Sequence, residues 1–186
     1  MQTKKKYWII GMLLTGFINF LFAQDPIPFQ KGKLFGYKDF NSGKQITTIK
    51  YESAQAFENG LARVRINKKL GLIDKTGRAI ISIRYDEIRD FRGNITCVRI
   101  EKKYGFIDFK GIKITPMKFD KANDFQEGFA AVCLNKKWGF IDEKGKQIIP
   151  LKYDEVSDFI GGLAAVSLNG EDFAINTKGE RVMPKY

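Results

Sequence analysis

The chain has 186 residues, 32 Lys and Arg against 21 Asp and Glu, a formal charge of +11, two Cys and no His. Without an imidazole, Ser-His-Asp and Cys-His nucleophiles and histidine zinc sites are excluded, and two cysteines alone cannot complete a tetrahedral metal centre. The basic charge favours solubility and attraction to acidic surfaces, and says nothing about fold.

At the N-terminus Lys4, Lys5 and Lys6 precede 16 uncharged, largely apolar residues, Tyr7 to Phe22, and Leu21-Phe22-Ala23 sets an Ala at the cleavage position. Residues 1–23 therefore read as a signal peptide. The alternative is an uncleaved anchor, but this stretch is interrupted by Gly11, Gly16 and Asn19 and is shorter than the roughly 20 apolar residues a spanning helix needs. With no Cys at the junction, lipid attachment is not expected. A mature protein of residues 24–186 would lose three leader lysines, taking the charge from +11 to +8. The expectation is export, to the periplasm, cell surface or medium, which makes nucleic acid a poor partner for this basic chain.

The rest repeats one pattern five times. Phe35-Gly36, Leu70-Gly71-Leu72-Ile73-Asp74, Tyr104-Gly105-Phe106-Ile107-Asp108, Trp138-Gly139-Phe140-Ile141-Asp142 and a degenerate Asp172-Phe173-Ala174-Ile175-Asn176 align at steps of 35, 34, 34 and 34 residues. A fixed period of this length marks a repeat array. The units run approximately over 27–59, 60–93, 94–127, 128–161 and 162–186.

Within the fourth unit, Phe129 to Leu134 is a strand, Asn135-Lys136-Lys137 a polar turn, and Trp138 to Ile141 a second strand, forming a hairpin. Asp142 to Gly145 is a type I turn into a third strand, Gln147 to Ile149. Asn176 replaces the Asp in the last unit, so that residue is a turn former. Pro150, like Pro116 and Pro184, should end the third strand. The segment Lys152 to Phe159 reads as a turn or a single helical turn. Its aromatic positions are Tyr51, Tyr85, Phe119 and Tyr153, then Phe57, Phe91, Phe125 and Phe159; Phe119 shows that the ring, not the phenol, is required. Gly60, Asn94, Gly128 and Gly162 follow and should be left-handed.

Alternation sets the packing. Val64 and Ile66 alternate with Arg63 and Arg65, so the first strand should have one wet face, whereas the second strand is apolar on both faces and should be buried on both. Gly in that strand implies close approach, for which an aromatic residue of the adjacent unit is the natural occupant. The last unit, with Asp172 and Phe173, reads as a cap. Cys97 and Cys133 fall on one face of neighbouring first strands but two residues out of step; that offset speaks against a disulfide, which needs Cα atoms within about 7 Å.

Trp138-Gly139-Phe140-Ile141-Asp142, Gly145, Ile149-Pro150, Lys152-Tyr153-Asp154, Phe159 and Gly162-Leu163-Ala164 resemble the WG-repeat, or KWG-repeat, family of bacterial proteins. Departures are Leu70 and Tyr104 for the Trp, Ser82 for the Pro, and the decayed last copy. The resemblance covers the whole mature chain and implies a tandem β-repeat, often exported, with no established active site. The expected fold is all-β: about five three-stranded antiparallel units in an open twisted array, the alternative being a closed propeller-like ring.

Candidate chemistry is sparse. The carboxylate pairs Asp86/Asp90, Asp120/Asp124 and Asp154/Asp158 recur and read as turn caps rather than acid–base machinery. Lys68, Lys69, Lys102, Lys103, Lys136 and Lys137 occupy the first hairpin turn of successive units and would line up as a basic stripe, with the acidic residues on the opposite, more negative edge; lysine at such turns also protects sheet edges. The repeat positions Gly36, Gly71, Gly105, Trp138 and Gly139 are assigned to structure. The expected function is binding, to a protein, through a surface spread over several units. The alternatives are attachment to an anionic cell-envelope polymer through the lysines and, more remotely, hydrolysis by the repeated carboxylates. No cofactor or metal is expected.

Overall fold

The hairpins form where apolar alternation is interrupted by two-residue loops. In the computed structural model, which describes residues 24–183, the strands fall into five antiparallel sheets. The first holds β1 (Ile27–Lys31) and β2 (Leu34–Lys38). The second holds β3 (Ser53–Ala54), β4 (Leu61–Ile66), β5 (Lys69–Asp74) and β6 (Ala79–Tyr85). The third holds β7 (Glu87–Ile88), β8 (Ile95–Ile100) and β9 (Lys103–Asp108). The fourth holds β10 (Lys121–Ala122), β11 (Phe129–Leu134), β12 (Lys137–Asp142) and β13 (Gln147–Tyr153). The fifth holds β14 (Glu155–Val156), β15 (Leu163–Leu168), β16 (Glu171–Asn176) and β17 (Arg181–Val182). The signal segment and Pro184 lie outside the described residues.

Hairpin loops Asn67-Lys68, Glu101-Lys102 and Asn135-Lys136 have φ of 49° and 63°, 48° and 67°, and 53° and 65°. Two positive φ values in a two-residue loop are the type I′ pattern, whose twist matches that of the strands. The Asp turn is also as expected: Asp142 Oδ1 accepts the N–H of Lys144 at 3.0 Å and of Lys146 at 2.8 Å, and Asn176 Oδ1 does the same for Lys178 and Glu180.

Five expectations are corrected in whole or in part. Pro150 does not end the third strand: β13 continues to Tyr153, and its register jumps from Phe140↔Ile149 to Trp138↔Tyr153, so the strand bulges opposite Gly139. A bulge tolerates a residue that cannot donate to the ladder. The bulge also explains the glycine. A Cβ on Gly139 would lie 2.5 Å from the Ile149 carbonyl oxygen and 2.7 Å from the Pro150 carbonyl, so the occupant is the unit's own third strand rather than a neighbouring aromatic ring. Gly71 meets the Ile81 oxygen at 2.7 Å and Gly105 the Pro116 oxygen at 2.8 Å, while Gly36 lies under its own hairpin's Phe29 ring, 3.2 Å away.

The segment after the third strand is neither turn nor helix. Glu155 and Val156 form β14, pairing with Ser167 and Val166 of the next hairpin. Its partner lies in the following unit, so a full sheet has a fourth, short strand beside the three expected ones. At the left-handed positions Gly60, Gly128 and Gly162 have φ of 81°, 83° and 75°, but Asn94 does not, leaving only Gly93 before it left-handed, at 59°. A positive φ at the first central position alone is the II′ rather than the I′ sign pattern. Where the third segment is irregular, in the first and third units, Thr47 and Thr115 are buried and their hydroxyls accept the N–H of Tyr37 at 2.9 Å and of Phe106 at 3.0 Å. Ile81 and Ile149 stand at these positions in the second and fourth units, where the strand is regular.

No sheet owns its core. Tyr37 and Tyr51 pack with Ala62, Val64 and Ile73 of the second sheet. Leu72, Ile81 and Tyr85 pack with Ile88, Val98 and Ile107 of the third. Cys97, Phe106, Phe119 and Phe125 pack with Ala130, Val132 and Ile141 of the fourth. Ala131, Phe140, Ile149, Tyr153 and Phe159 pack with Ala164, Val166 and Ile175 of the fifth. The second strand is buried on both faces, as expected. The first strand's expected wet face holds at Arg65, which is exposed, and fails at Arg63, which is half-buried against the next sheet. Among the described residues no hydrogen bond or ion pair joins the first sheet to the fifth, so the stack is open. Cys97 and Cys133 are free and buried, filling space between sheets; burial pushes the Cys97 thiol up to about 12.

Candidate functional site

Each antiparallel hairpin has two ends, so the stack has two turn edges. At one edge lie the six lysines, and the structure divides them. Lys69, Lys103 and Lys137 are ion-paired with Asp86, Asp120 and Asp154. The second oxygen of each aspartate accepts a backbone N–H from the next unit's hairpin turn: Glu101 at 2.8 Å, Asn135 at 2.8 Å and Asn169 at 2.9 Å. Each aspartate thus ties its own sheet's lysine to the following sheet. The lysine hydrogen bond, aided by the backbone one, holds the Asp120 and Asp154 carboxyls below the ordinary carboxylate range. The expected separation into a positive and a negative edge is corrected, because these aspartates sit on the lysine edge.

Lys68, Lys102 and Lys136 make no such pair. They are exposed, at the second loop position, each in the left-handed region. The last unit has Gly170 there, at φ 82°.

The second carboxylate of each pair serves a different partner. Asp124 accepts from Arg89 Nη1 at 3.2 Å, Asp158 from Asn123 Nδ2 at 2.8 Å, and Asp90 from Arg63 Nη2 at 3.4 Å. All three donors come from the preceding sheet. The two members of a pair therefore bind separate donors. Among the described residues, no group of three or more His, Cys, Asp or Glu is placed to hold a metal.

The opposite edge carries the Asp-x-x-Gly turns and the loops that precede each hairpin. Several exposed large apolar side chains lie here, among them Phe40 at 49 %, Phe109 at 42 %, Ile112 at 61 % and Ile160 at 74 %, while Leu34 is exposed at the lysine edge. Phe40 and Phe109 follow the turn Asp, a place taken by Lys75, Glu143 and Thr177 in the other units. Nothing inside the stack needs a ring there.

The aromatic series bears on a large opening at this edge. Phe57 meets Tyr37 with ring centroids 5.2 Å apart, Phe125 meets Phe106 at 5.0 Å, and Phe159 meets Phe140 at 4.7 Å. In the second sheet the corresponding residue is Leu72, which offers no ring; Phe91 is half-buried, as Phe57 is, while Phe125 and Phe159 are buried. Arg63 also stands where Cys97 and Ala131 stand in the next two units. The result is a cleft of about 660 Å³ between the second and third sheets, lined by Arg63, Leu72, Asp90, Phe91, Asn94 and Phe109 among others. Sequence reasoning placed Phe91 with its equivalents and missed the cleft; the signal was the break in the ring series at Leu72, repeated only at Ala174 of the decayed last unit.

The remaining aromatic positions are structural. Tyr51, Tyr85, Phe119 and Tyr153 are buried between sheets, and Trp138 lies opposite Tyr153 in register.

The family described as "WG containing repeat" matches residues 35–69, 71–104, 104–138 and 138–171. No curated protein matches the chain. Among solved structures it is similar to KlHsv2 with loop 6CD replaced by a Gly-Ser linker, at 14% identity over 86% of this chain and 62% of that one, with a TM-score of 0.44. It is also similar to Hsv2 of Kluyvelomyces marxianus, at 13% identity over 86% and 60%, with a TM-score of 0.42. The chain thus spans less than two thirds of either structure.

Proposed function

The chain belongs to the WG-containing repeat family, and from that premise we propose that it is an exported, non-catalytic binding protein whose partner is another protein. The partner is held on a surface spread over several units. The observation that carries this reading is the gathering of Phe40, Phe109, Ile112 and Ile160 on one turn edge, at positions where other units have polar residues or glycine-flanked loops. Apolar side chains collected at one face of a soluble domain are a feature of interaction sites. The leader-like residues 1–23 support export. The test is photo-crosslinking from Phe40, Phe109 and Ile160 in the cells that make the protein. The same partner should be captured from all three; three unrelated captures, or none, would reject a multi-unit surface.

A second reading, attachment to an anionic cell-envelope polymer, is favoured by the lysine loops. A non-glycine residue in the left-handed region costs about 1 kcal/mol, yet Lys68, Lys102 and Lys136 take it at φ 63°, 67° and 65°. Changing all three to Gly leaves the Lys69, Lys103 and Lys137 ion pairs untouched. It should raise the melting temperature while abolishing salt-sensitive retention on a heparin matrix; unchanged retention rejects this reading.

A further inference from the structure

Resting on the reading of this edge as the docking surface, we infer that the cleft between the second and third sheets takes the carboxyl terminus of a peptide ending in a bulky apolar or aromatic residue. The stack does not require the opening. The other aromatic junctions are closed by ring against ring, and a ring at position 72 would close this one in the same way.

The walls are mixed, with Leu61, Leu72, Phe91 and Phe109 facing Glu58, Arg63, Asp90 and two asparagines. Leu72, 5 % exposed, packs with Leu61 and Phe91 at the base, and the exposed Phe109 stands at the mouth, so one large side chain has an apolar side to lie against. The volume lies within the roughly 300–1,000 Å³ of ordinary small-ligand sites.

Arg63 supplies the recognition element. Its guanidinium has five donors in a fork that suits a carboxylate. Its two bonds, to the Arg89 carbonyl oxygen and Asp90 Oδ1, are both 3.4 Å, the outer limit of a hydrogen bond. The Asp90 side chain is 92% exposed, so that ion pair is solvated and weak. A ligand carboxylate held between Phe91 and Leu72 could instead take two parallel bonds from the fork. Because Cys97 and Ala131 fill the same place in the next units, the guanidinium is not needed for stacking.

The rim narrows the class. Asn59 and Asn94 bring side-chain amides that suit a peptide backbone, while Glu58 and Asp90 disfavour acidic residues just before the terminus. Phe109 lines the cleft and also stands on the exposed edge, so a chain that enters by its end can continue across the apolar surface. An extended peptide satisfies all of these features together.

The probe is N-acetyl-Ala-Ala-Phe, compared with its C-terminal amide by titration calorimetry and amide chemical shifts on the full mature chain. The acid should bind saturably, with shifts confined to the cleft, and the amide at least about tenfold more weakly, as loss of one charge-assisted pair implies. Arg63→Gln should weaken the acid by a similar factor and leave the amide unchanged. Leu72→Phe should let Phe91 seat as Phe125 does, raise the melting temperature and abolish binding, so that loss of binding there is not loss of fold. Equal binding of acid and amide, no binding of either, or undiminished binding to Leu72→Phe would overturn the inference. Capture of one partner from Phe40, Phe109 and Ile160 that survives in Leu72→Phe would also overturn it, while leaving the broader edge reading in place.

Discussion

Gly139→Ala is expected to destabilise the protein by about 3 kcal/mol, the upper end of the usual range for overpacking, whereas Gly128→Ala should cost only about 1 kcal/mol. Both glycines precede or occupy strands of the same hairpin, but for different reasons. Gly128 has φ 83° with nothing within 4 Å of a built Cβ, so Ala there meets only the left-handed backbone penalty. Gly139 has an ordinary strand backbone, and its Cβ would stand 2.5 Å from the Ile149 oxygen and 2.7 Å from the Pro150 carbonyl. Those are main-chain atoms and have no rotamer to escape into. Gly139 is itself held from the other side by its register with Val132. The new methyl must therefore expel the bulge of β13, and with it the Tyr153 ring that the fifth sheet packs against. Hydrogen exchange should accelerate through β11 to β17 while β4 to β9 keep their protection. Equal melting shifts for the two variants would show that the bulge is not what excludes a side chain.

This contrast marks how far the residues alone could be read. Period, hairpins, Asp turns and the double burial of the second strand were visible because each depends on neighbours a few residues away, where turn chemistry and alternation act. The glycine was correctly read as a close approach, but its occupant was not, since a bulge at Pro150 shifts register by an amount that no pattern of apolar residues encodes. The strand at Glu155-Val156 was missed because its partners, Ser167 and Val166, belong to the next sheet. Charge was misplaced for the same reason. Asp86, Asp120 and Asp154 lie 17 residues after the lysines they bind, far apart in sequence but folded onto one edge by the return of the third strand. The cleft needed a comparison across units: one Leu in a column of rings and one Arg in a column of small residues.

A single unit made alone, residues 121–153, is expected to be unfolded. Its forward face exposes Ala131, Phe140, Ile149 and Tyr153, which in the stack are covered by Ala164, Val166 and Ile175; its rear face exposes Ala130, Val132 and Ile141, which are covered by Cys97, Phe106, Phe119 and Phe125. Each such side chain is worth roughly 1.5–3 kcal/mol when fully buried, and chains below about 40 residues seldom fold without a staple. The unit also loses the hydrogen bond from the Asn135 N–H to Asp120 and the Lys137 ion pair with Asp154, because both aspartates lie outside it. Adding one neighbour restores one face, so stability should grow stepwise with unit number, as in other one-dimensional stacks. Circular dichroism and proton spectra should show no dispersed fold for one unit and a cooperative transition once neighbours are present on both sides. A stable monomeric fold from residues 121–153 would overturn the account of the core given above. The junctions are not equal, however. Between the second and third sheets Phe91 is half-buried, Arg63 replaces a small residue and the cleft interrupts the packing. In denaturant below the main transition, the first cooperative opening should separate β3 to β6 from β7 to β9. Closing that gap by Leu72→Phe should move the first opening to an end of the stack, which would tie the weakest junction and the cleft to the same missing ring.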